Sequence, residues 1–407
     1  MQANLKRSLS LTLVTFYGIG TILGAGIYVL VGKVAGFAGM FTPFAFLLAS
    51  VLAALSAFSY AELSARFPKS AGEAVYVQEG LGWRKLSILV GVTIVFAGII
   101  SVATLVHGFV GYFQVFVDVP TIVVIISLTL LMGLVVVWGI NESVIIASLM
   151  TLVEIGGLVL IIWVARESFS LLPARWSEMV PPLEWSAWGG IVAGSFIAFY
   201  AFIGFEDIVN VAEEVRNPRR NLPRAIVIAL VVTSAFYFVV AVVSILAMAP
   251  AELARTDAPL AELYRHVTGQ RPLVITIISL VSVLNGALIQ IIMASRVLYG
   301  MSRQGWLPPR LGRVNARTRT PLLATGLVTG LVLLFALWLP LLSLAKLTSF
   351  VILIVFTLIN LSLWQIKIRA PQPEDIRTVP LWVPIIGFFS SGAFVLYQIT
   401  LFLITEQ

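Results

Sequence analysis

Two stretches of the sequence decide the fold: GIGTILGAGIY at residues 18–28 and AFYAFIGFED at residues 198–207. Each lies within a long apolar segment. The first stretch has four glycines in nine positions, and each glycine weakens a helix by up to about 1 kcal/mol relative to alanine. In the second stretch, Gly204 follows a cluster of aromatic residues. A lone glycine in a membrane helix usually allows close packing with a neighbouring helix. The prediction of broken helices therefore depends on the occurrence of two such stretches.

The composition is that of a membrane protein. Hydrophobic residues make up 59% of the 407 positions and charged residues 11%, and the mean hydropathy is +1.02. Soluble domains are roughly 45–50% apolar and about 25% charged. The absence of cysteine excludes disulfides and thiolate metal sites and leaves the redox compartment undecided. Lys6 and Arg7 precede an apolar run that reaches about Val31, which is too long for a signal peptide and is assigned to the first span.

Eleven apolar segments are long enough to cross a hydrocarbon core of about 30 Å. They lie at about residues 9–31, 40–66, 86–116, 120–138, 143–165, 187–212, 224–249, 273–302, 321–339, 343–366 and 381–404. The two interrupted segments are the first and the sixth, at corresponding positions of two five-helix halves. This spacing is typical of inverted-repeat transporters with discontinuous helices and a binding site near the midplane.

We therefore predict an all-α transmembrane fold built as a five-plus-five inverted repeat, with helices 1 and 6 broken. The first repeat covers about residues 9–165 and the second about residues 187–366, and an additional helix follows at about 381–404. The polar segments between the spans are too short for an independent soluble domain. One transmembrane domain is predicted to cover residues 1–407.

Lysine and arginine are concentrated on one side of the predicted spans. The inner loops carry clusters at residues 216–224 and 303–319, whereas the outer loops carry scattered arginines such as Arg166 and Arg271. The positive-inside rule then predicts a cytoplasmic N-terminus in a bacterial inner membrane. The same asymmetry explains the pI of about 9.8 without nucleic acid as a partner. An odd number of spans predicts that Gln407 is extracytoplasmic.

The chain resembles bacterial members of the amino acid, polyamine and organocation (APC) transporter superfamily. The resemblance implies the five-plus-five inverted repeat that this superfamily shares with the neurotransmitter sodium symporters. The matching stretches are GIGTILGAGIYVLVG at 18–32, SYAELSARFPKSAGEAVYV at 59–77, GINES at 139–143, FYAFIGFEDIVNVAEEVRNPRRNLPRAI at 199–226 and SRVLYGMSRQGWLPP at 295–309. Family members usually have twelve spans, so eleven predict a monomer or an atypical dimer.

The resemblance implies that the unwound middle of helix 1 binds the carboxylate of a substrate. Thr21 and Ile22 would line the approach. The backbone N–H groups that would bind the carboxylate belong to Gly24, Ala25, Gly26 and Ile27. The N-terminus of a half-helix offers unsatisfied donors and a positive dipole end to an anion. Small side chains let the ligand approach the backbone closely.

The resemblance also implies a role for the break in helix 6, which is marked by Gly204. The carbonyls of Tyr200, Ala201 and Ile203 would receive the α-amino group, and Phe202 would cover the ligand as a gate. For Phe202, simple packing remains the alternative, because aromatic side chains in membrane spans more often pack than gate.

Glu154 lies at the centre of the fifth apolar segment, where an acidic side chain costs roughly 2.5–3.5 kcal/mol. Alignment of GINES with the related segment of cationic amino acid transporters places Glu154 where those members carry a lysine that replaces a sodium ion. A carboxyl cannot imitate a fixed cation. Three roles remain open: carrying a transported proton, binding a cation or the amine of the substrate, and making a structural interhelical hydrogen bond.

Four further polar residues are candidates for the cavity or its gates. Glu206 is either a second coupling carboxyl or a cap of the inner half-helix. Arg296 either forms an inner-gate ion pair, whose partner the sequence does not identify, or extends to the membrane surface. Asn285 and Gln290, on the same helix as Arg296, either face the cavity or form interhelical hydrogen bonds. The two histidines, His107 and His266, support no metal site.

These features predict a secondary active transporter that takes up an amino acid with a proton by alternating access. An amino acid or polyamine exchanger and a sodium-coupled carrier remain alternatives within transport, and a non-transporting membrane sensor is the alternative outside it. The sequence has no phosphate-binding loop and no arrangement of nucleophile, base and metal that would indicate an enzyme. No cofactor is expected. The predicted partners are the substrate, the coupling proton or sodium ion and the lipid membrane.

Overall fold

The computed structural model describes residues 5–24, 26–114, 118–256, 258–338, 342–371, 373 and 375–405. Within these ranges, eight helices are long and apolar enough to span a membrane, and three shorter apolar helices accompany them. Together they match the eleven predicted spans. The predictions for Ala25 and Gln407 concern positions outside the described residues. We call the face of the bundle at which the first helix begins the N-terminal face, and the opposite one the distal face.

The first span is two helices in sequence, as the glycine pattern predicts. Helix α1 covers Leu11–Leu23, and the hydroxyl of Ser10 accepts from the N–H of Leu13 at its start. Gly24 then adopts φ 26°, a conformation that favours glycine because it has no Cβ. Helix α2 begins at Gly26 and continues to Ala38, beyond the predicted end of the span at residue 31.

The rest of the first half follows the predicted order. Its helices are α3 (Thr42–Arg66), α4 (Gly72–Leu81), α5 (Arg84–Phe113), α6 (Thr121–Trp138) and α7 (Ile140–Val164). All but α4 are spans. Helix α4 is a short helix at the N-terminal face that packs against α5, and the apolar periodicity alone does not identify it.

The sixth span is interrupted as predicted, but its second part is shorter than a half-helix. After α8 (Leu172–Met179), helix α9 covers Trp185–Tyr200, and turns follow up to Glu206. Helix α10 contains only Asp207–Asn210. Gly204, with φ 130°, lies within the turns and supplies a backbone conformation that other residues rarely adopt.

The second half is completed by α11 (Pro218–Ala247), α12 (Pro250–Arg255), α13 (Pro259–Thr268), α14 (Leu273–Arg303), α15 (Leu322–Trp338), α16 (Leu342–Arg369) and α17 (Trp382–Thr405). The seventh span begins at Pro218 rather than near residue 224. Proline is favoured in the first turn of a helix because its missing N–H would have no acceptor within the helix. Helices α12 and α13 lie in the loop that joins α11 to α14.

Packing brings the two broken helices to the centre of the bundle. Helix α1 packs against α7, α11 and α14, whereas α2 packs against α9. Helices α5 and α14 pack along each other, and α3 packs against α11. The two broken helices are therefore surrounded by the other helices of the bundle.

Candidate functional site

The two helix breaks are in direct contact. A Cβ added to Gly26 would lie 3.1 Å from the Cα of Ala201, and one added to Gly204 would lie 2.8 Å from the carbonyl oxygen of Thr21. The hydroxyl oxygen of Tyr237, on α11, lies 2.6 Å from the carbonyl oxygen of Ile22 and 2.9 Å from that of Ala201, so its single proton is shared between these two acceptors. Tyr237 thus links the two breaks, a contact that the sequence did not predict.

A cavity of about 110 Å³ lies between the breaks and the facing sides of α5 and α14. One water molecule needs only about 10–15 Å³ measured in this way, so the cavity has room for a small organic solute. Of the predicted site residues, those that line it are Thr21, Ile22, Gly24, Gly26, Tyr200, Ala201, Ile203, Glu206 and Gln290. Most of the predicted binding residues therefore surround one space.

The backbone donors at the helix 1 break differ in availability. The N–H of Gly24 donates to the carbonyl of Gly20 at 3.1 Å and so closes the last turn of α1. Contrary to the prediction, this N–H is not available to a substrate carboxylate. Gly26 and Ile27 begin α2, and the N–H groups of a first helical turn have no acceptor within their helix. Gly26 lines the cavity, whereas the side chain of Ile27 is fully buried in the core.

The helix 6 break presents carbonyls that already have protein donors. The carbonyl of Tyr200 accepts from the N–H of Ile203 at 3.2 Å, and that of Ala201 accepts from Tyr237. Because a carbonyl oxygen has two lone pairs, each of these groups retains one for an amine.

Phe202 does not occupy the predicted gate position. Its ring packs edge-on against the ring of Tyr237, with centroids 5.0 Å apart, and is 1% exposed. Tyr200, Ala201 and Ile203 line the cavity, but Phe202 is directed into the core instead. This geometry matches the packing alternative.

Two adjacent carboxyls line the cavity at its N-terminal end. Glu206 Oε2 accepts from the N–H of Gly204 at 2.8 Å, so Glu206 holds the turn rather than capping α10. Asp207 Oδ2 accepts from Gln290 Nε2 at 2.7 Å. Asp207 was not among the predicted site residues, although a second carboxyl in an apolar segment is as costly as the first.

Glu154 lies behind α1, away from the surface of the cavity. Its side chain is fully buried, and Oε1 accepts from Asn285 Nδ2 at 2.9 Å. Asn285 also donates to the hydroxyl of Thr151 at 3.0 Å. Among the described residues, Glu154 Oε2 and Asn285 Oδ1 have no hydrogen-bond partner. Asn285 therefore belongs to the Glu154 cluster rather than to the cavity.

The Glu154 cluster is connected to the helix 1 break at two points. The hydroxyl of Tyr28, in the first turn of α2, donates to the backbone carbonyl of Glu154 at 2.7 Å. The hydroxyl of Ser282, one turn before Asn285, donates to the carbonyl of Gly24. A change in the charge of Glu154 would therefore act on the segment that presents donors to the cavity.

Arg296 forms a buried ion pair at the N-terminal face. Its Nη2 and Nε lie 3.2 and 3.3 Å from the two carboxylate oxygens of Glu214, and both side chains are fully buried. The side chain therefore does not extend to the membrane surface. Burial raises the pKa of Glu214, and the adjacent guanidinium opposes that shift. The pair closes the bundle below the cavity, and Glu214 is the partner that the sequence did not identify.

The cavity is closed toward the N-terminal face and partly exposed toward the distal face. On α5, which runs from the N-terminal face, the lining residues Ile94 and Ala97 are buried, whereas Ser101 and Leu105 are partly exposed. The Arg296–Glu214 pair lies on the closed side. Along α5, the buried lining residues thus lie toward the N-terminal face and the partly exposed ones toward the distal face.

The fold resembles that of a Na⁺-coupled sialic acid symporter in its substrate-bound outward-open state, with a TM-score of 0.63 and 13% sequence identity. The similarity covers 95% of this chain and 89% of the symporter chain. This similarity concerns the fold of the chain.

The family model for amino acid permeases matches residues 9–407. The chain is 29% identical to the branched-chain amino acid permease BcaP of Bacillus subtilis, over 92% of this chain and 83% of the permease. It is 30% identical to the mitochondrial cationic amino acid transporter 3 of Arabidopsis thaliana, over 88% of this chain, but spans only 62% of that longer protein. The chain belongs to the amino acid permease family and is a secondary amino acid transporter.

Proposed function

We propose that the protein imports an α-amino acid together with a proton, and that Glu154 carries the proton. The supporting observation is the surroundings of Glu154, a fully buried carboxyl whose hydrogen-bonding neighbours, Asn285 and Tyr28, are neutral. An ionised carboxyl is costly in such a place. A proton on the side chain removes this charge.

The coupling follows from the position of Glu154 beside the helix 1 break. When Glu154 is neutral, α7, α14 and the break pack without a buried charge. When it loses the proton, the segment around Gly24 and Tyr28 must adjust to solvate the carboxylate. The proton and the substrate thus act on the same backbone segment, which is the requirement for coupling two binding events.

The substrate proposal rests on the groups at the two breaks. The N–H groups at the start of α2, which have no acceptor within their helix, suit a carboxylate, and the carbonyls and carboxyls at the helix 6 break suit an amine. One relative carries the name of a branched-chain permease and another that of a cationic amino acid transporter, so the proposal extends to amino acids as a class. We assign the N-terminal face to the cytoplasm of a bacterium from the distribution of lysine and arginine.

Flux measurements on purified protein in proteoliposomes test this proposal. A thermal-shift screen of the twenty amino acids and common polyamines first selects the ligand. We expect counterflow of that ligand and uphill uptake driven by ΔpH without sodium. Binding without counterflow would indicate a sensor, counterflow without gradient-driven uptake an exchanger, and a requirement for sodium a cation site at Glu154.

A further inference from the structure

Glu73 is a buried carboxyl that the proposal above does not use. It lies in the first turn of α4, is 1% exposed, and accepts from Asn210 Nδ2 at 3.2 Å. Asn210 is also held by α4, because its Oδ1 accepts from the N–H of Gly72 at 3.1 Å. One turn earlier on α10, Asp207 lines the cavity. Glu73 therefore lies just beyond the end of the cavity, toward the N-terminal face.

Several polar atoms around Glu73 have no partner among the described residues. These atoms are Glu73 Oε2 and the hydroxyl oxygens of Tyr60 and Tyr76, all three buried. The rings of the two tyrosines meet edge-on with centroids 6.2 Å apart. Buried polar groups are normally hydrogen-bonded to protein or to ordered water. A group of unpaired oxygens in one place is therefore suited to hold water.

Acidic groups and neutral side chains surround Glu73. The titratable groups that face it are Tyr60 on α3, Tyr76 on α4, and Glu206 and Asp207 at the start of α10. Helices α5 and α16 also pack against α4, where the neutral Ser87 and Ser362 contact its last turns at Gln78 and Gly80. This set contains no cation that would hold Glu73 ionised.

The protonation of Glu73 is correspondingly shifted. Burial raises the pKa of Glu73 to about 8, against the opposing hydrogen bonds from its own N–H and from Asn210, and the nearby Glu206 carboxyl adds to the rise. A carboxyl with a pKa in this range gains and loses a proton near neutral pH. Glu73 is thus able to act as a reversible proton carrier.

A route from Glu73 to the N-terminal face begins at Ser70. The N–H of Ser70 donates to Glu213 Oε1 at 3.2 Å, and the hydroxyl of Tyr299 donates to Glu213 Oε2 at 3.0 Å. Glu213 is only half-buried, whereas the hydroxyl of Ser70 is buried and has no partner among the described residues. Ser70, one turn before Glu73 in sequence, therefore connects this region to a half-buried carboxyl at the N-terminal face.

We infer that Glu73 is a further proton-binding site, which receives a proton from Glu206 or Asp207 at the end of the cavity and releases it toward the N-terminal face. This inference rests on the proposed proton coupling. The proton leaves Glu206 or Asp207 as that carboxyl becomes ionised, and it binds Oε2 of Glu73, which becomes neutral. It then passes through water to the N-terminal side, and Glu73 is again a carboxylate.

The test compares proton entry with substrate exchange in the same proteoliposomes, which contain a pH-sensitive dye. The substrate is the amino acid with the largest thermal shift in the screen. The variants are Glu73→Gln, Glu73→Asp and the matched control Glu79→Gln, which changes an exposed carboxyl on the same helix. For Glu73→Gln we expect substrate-linked proton entry to fall about a hundredfold, with counterflow unchanged. Glu73→Asp retains a carboxyl and should conduct protons with a shifted pH midpoint.

The possible outcomes separate this inference from the coupling proposal. If the wild type moves substrate without protons, the coupling proposal fails, and this inference fails with it. If the wild type is coupled and Glu73→Gln keeps the same proton-to-substrate ratio and pH midpoint, only the role of Glu73 is refuted. If thermal unfolding shows that Glu73→Gln is misfolded, Glu73→Asp decides: an unchanged pH midpoint refutes the role and a shifted one supports it.

Discussion

At the scale of single residues, the helix breaks depend on glycines whose neighbours leave no room for a side chain. Gly26 lies against the backbone of Ala201, and Gly204 lies against the carbonyl of Thr21. At these contacts the backbones of the two broken helices lie directly against each other. A side chain at either position would separate the breaks and fill part of the cavity.

Gly26→Leu should abolish substrate binding while the protein still inserts and folds, because the leucine side chain blocks approach to the first N–H groups of α2. Binding to purified protein in detergent, measured by thermal shift, checks this expectation. Gly156→Leu is the matched control, since a side chain at Gly156 meets open space. Unchanged affinity in the Gly26 variant would show that the carboxylate binds elsewhere.

The second residue-scale prediction concerns Glu154. Glu154→Gln keeps the shape and hydrogen bonds of a protonated carboxyl but cannot release a proton. We therefore expect counterflow to survive and ΔpH-driven accumulation to be lost, and both are measured in the same liposomes. Glu142→Gln, at an exposed position on the same helix, should behave as the wild type. Continued accumulation by Glu154→Gln under ΔpH alone would make Glu154 structural and Glu206 the next candidate.

At the scale of elements, α14 connects the parts of the site. In order along this helix, Ser282 contacts the helix 1 break, Asn285 contacts Glu154, Gln290 contacts Asp207 and Arg296 contacts Glu214. A shift of α14 along its axis would therefore change all four contacts together. One helix therefore contacts the Glu154 cluster, the carboxyl of Asp207 at the end of the cavity and the ion pair at the closed N-terminal face.

Glu214→Ala should lower the stability of this closed face, because it leaves the guanidinium of Arg296 buried without a counter-charge. Loss of one partner of a buried pair costs roughly 3–5 kcal/mol. Thermal unfolding in detergent checks the effect, and the double variant Glu214→Met with Arg296→Met should recover most of it. Glu178→Ala removes the partly exposed pair with Arg175 and should cost at most about 1 kcal/mol. Equal effects of the two single variants would contradict this account.

At the scale of the whole molecule, if the eight long and three shorter apolar helices of the described residues all cross the membrane, we expect the start of α1 and the end of α17 on opposite faces. Basic clusters in the connecting segments lie on the N-terminal face. For that face to open, the contacts of Arg296 with Glu214 and of Ser70 and Tyr299 with Glu213 must break. Because these contacts lie on one side of the cavity, access could switch from one face to the other.

Reporter fusions test the orientation of the bundle. Alkaline phosphatase fused behind α17 should be active, because the enzyme requires an extracytoplasmic location, whereas a fusion after Arg369 at the end of α16 should be inactive. Green fluorescent protein at the same two points should show the opposite pattern. Phosphatase activity after Arg369 and fluorescence behind α17 would invert the assigned topology.

The sequence was sufficient for the number of spans and for the positions of the two breaks. Apolar length predicts a crossing directly, since about 20 residues are needed to span the membrane, and the glycines around Gly24 and Gly204 weaken a helix locally. The residues around the breaks were predicted to bind substrate from the resemblance to the APC superfamily, and most of them surround the cavity. Helix ends were less well predicted, because Pro218 extends α11 by a polar turn that hydropathy does not detect.

The hydrogen-bond and ion-pair partners of the polar side chains could not be predicted from local sequence, because they depend on how distant helices are rotated and aligned. Arg296 meets Glu214 and Glu154 meets Asn285 across separations of 82 and 131 residues. The direction of Phe202, adjacent in sequence to lining residues, depends on the ring of Tyr237 beside it. The connection of Glu73 to the end of the cavity likewise exists only because α4 folds under α10. Local sequence determines where a helix forms or breaks, whereas long-range packing determines which buried groups share a proton or a charge.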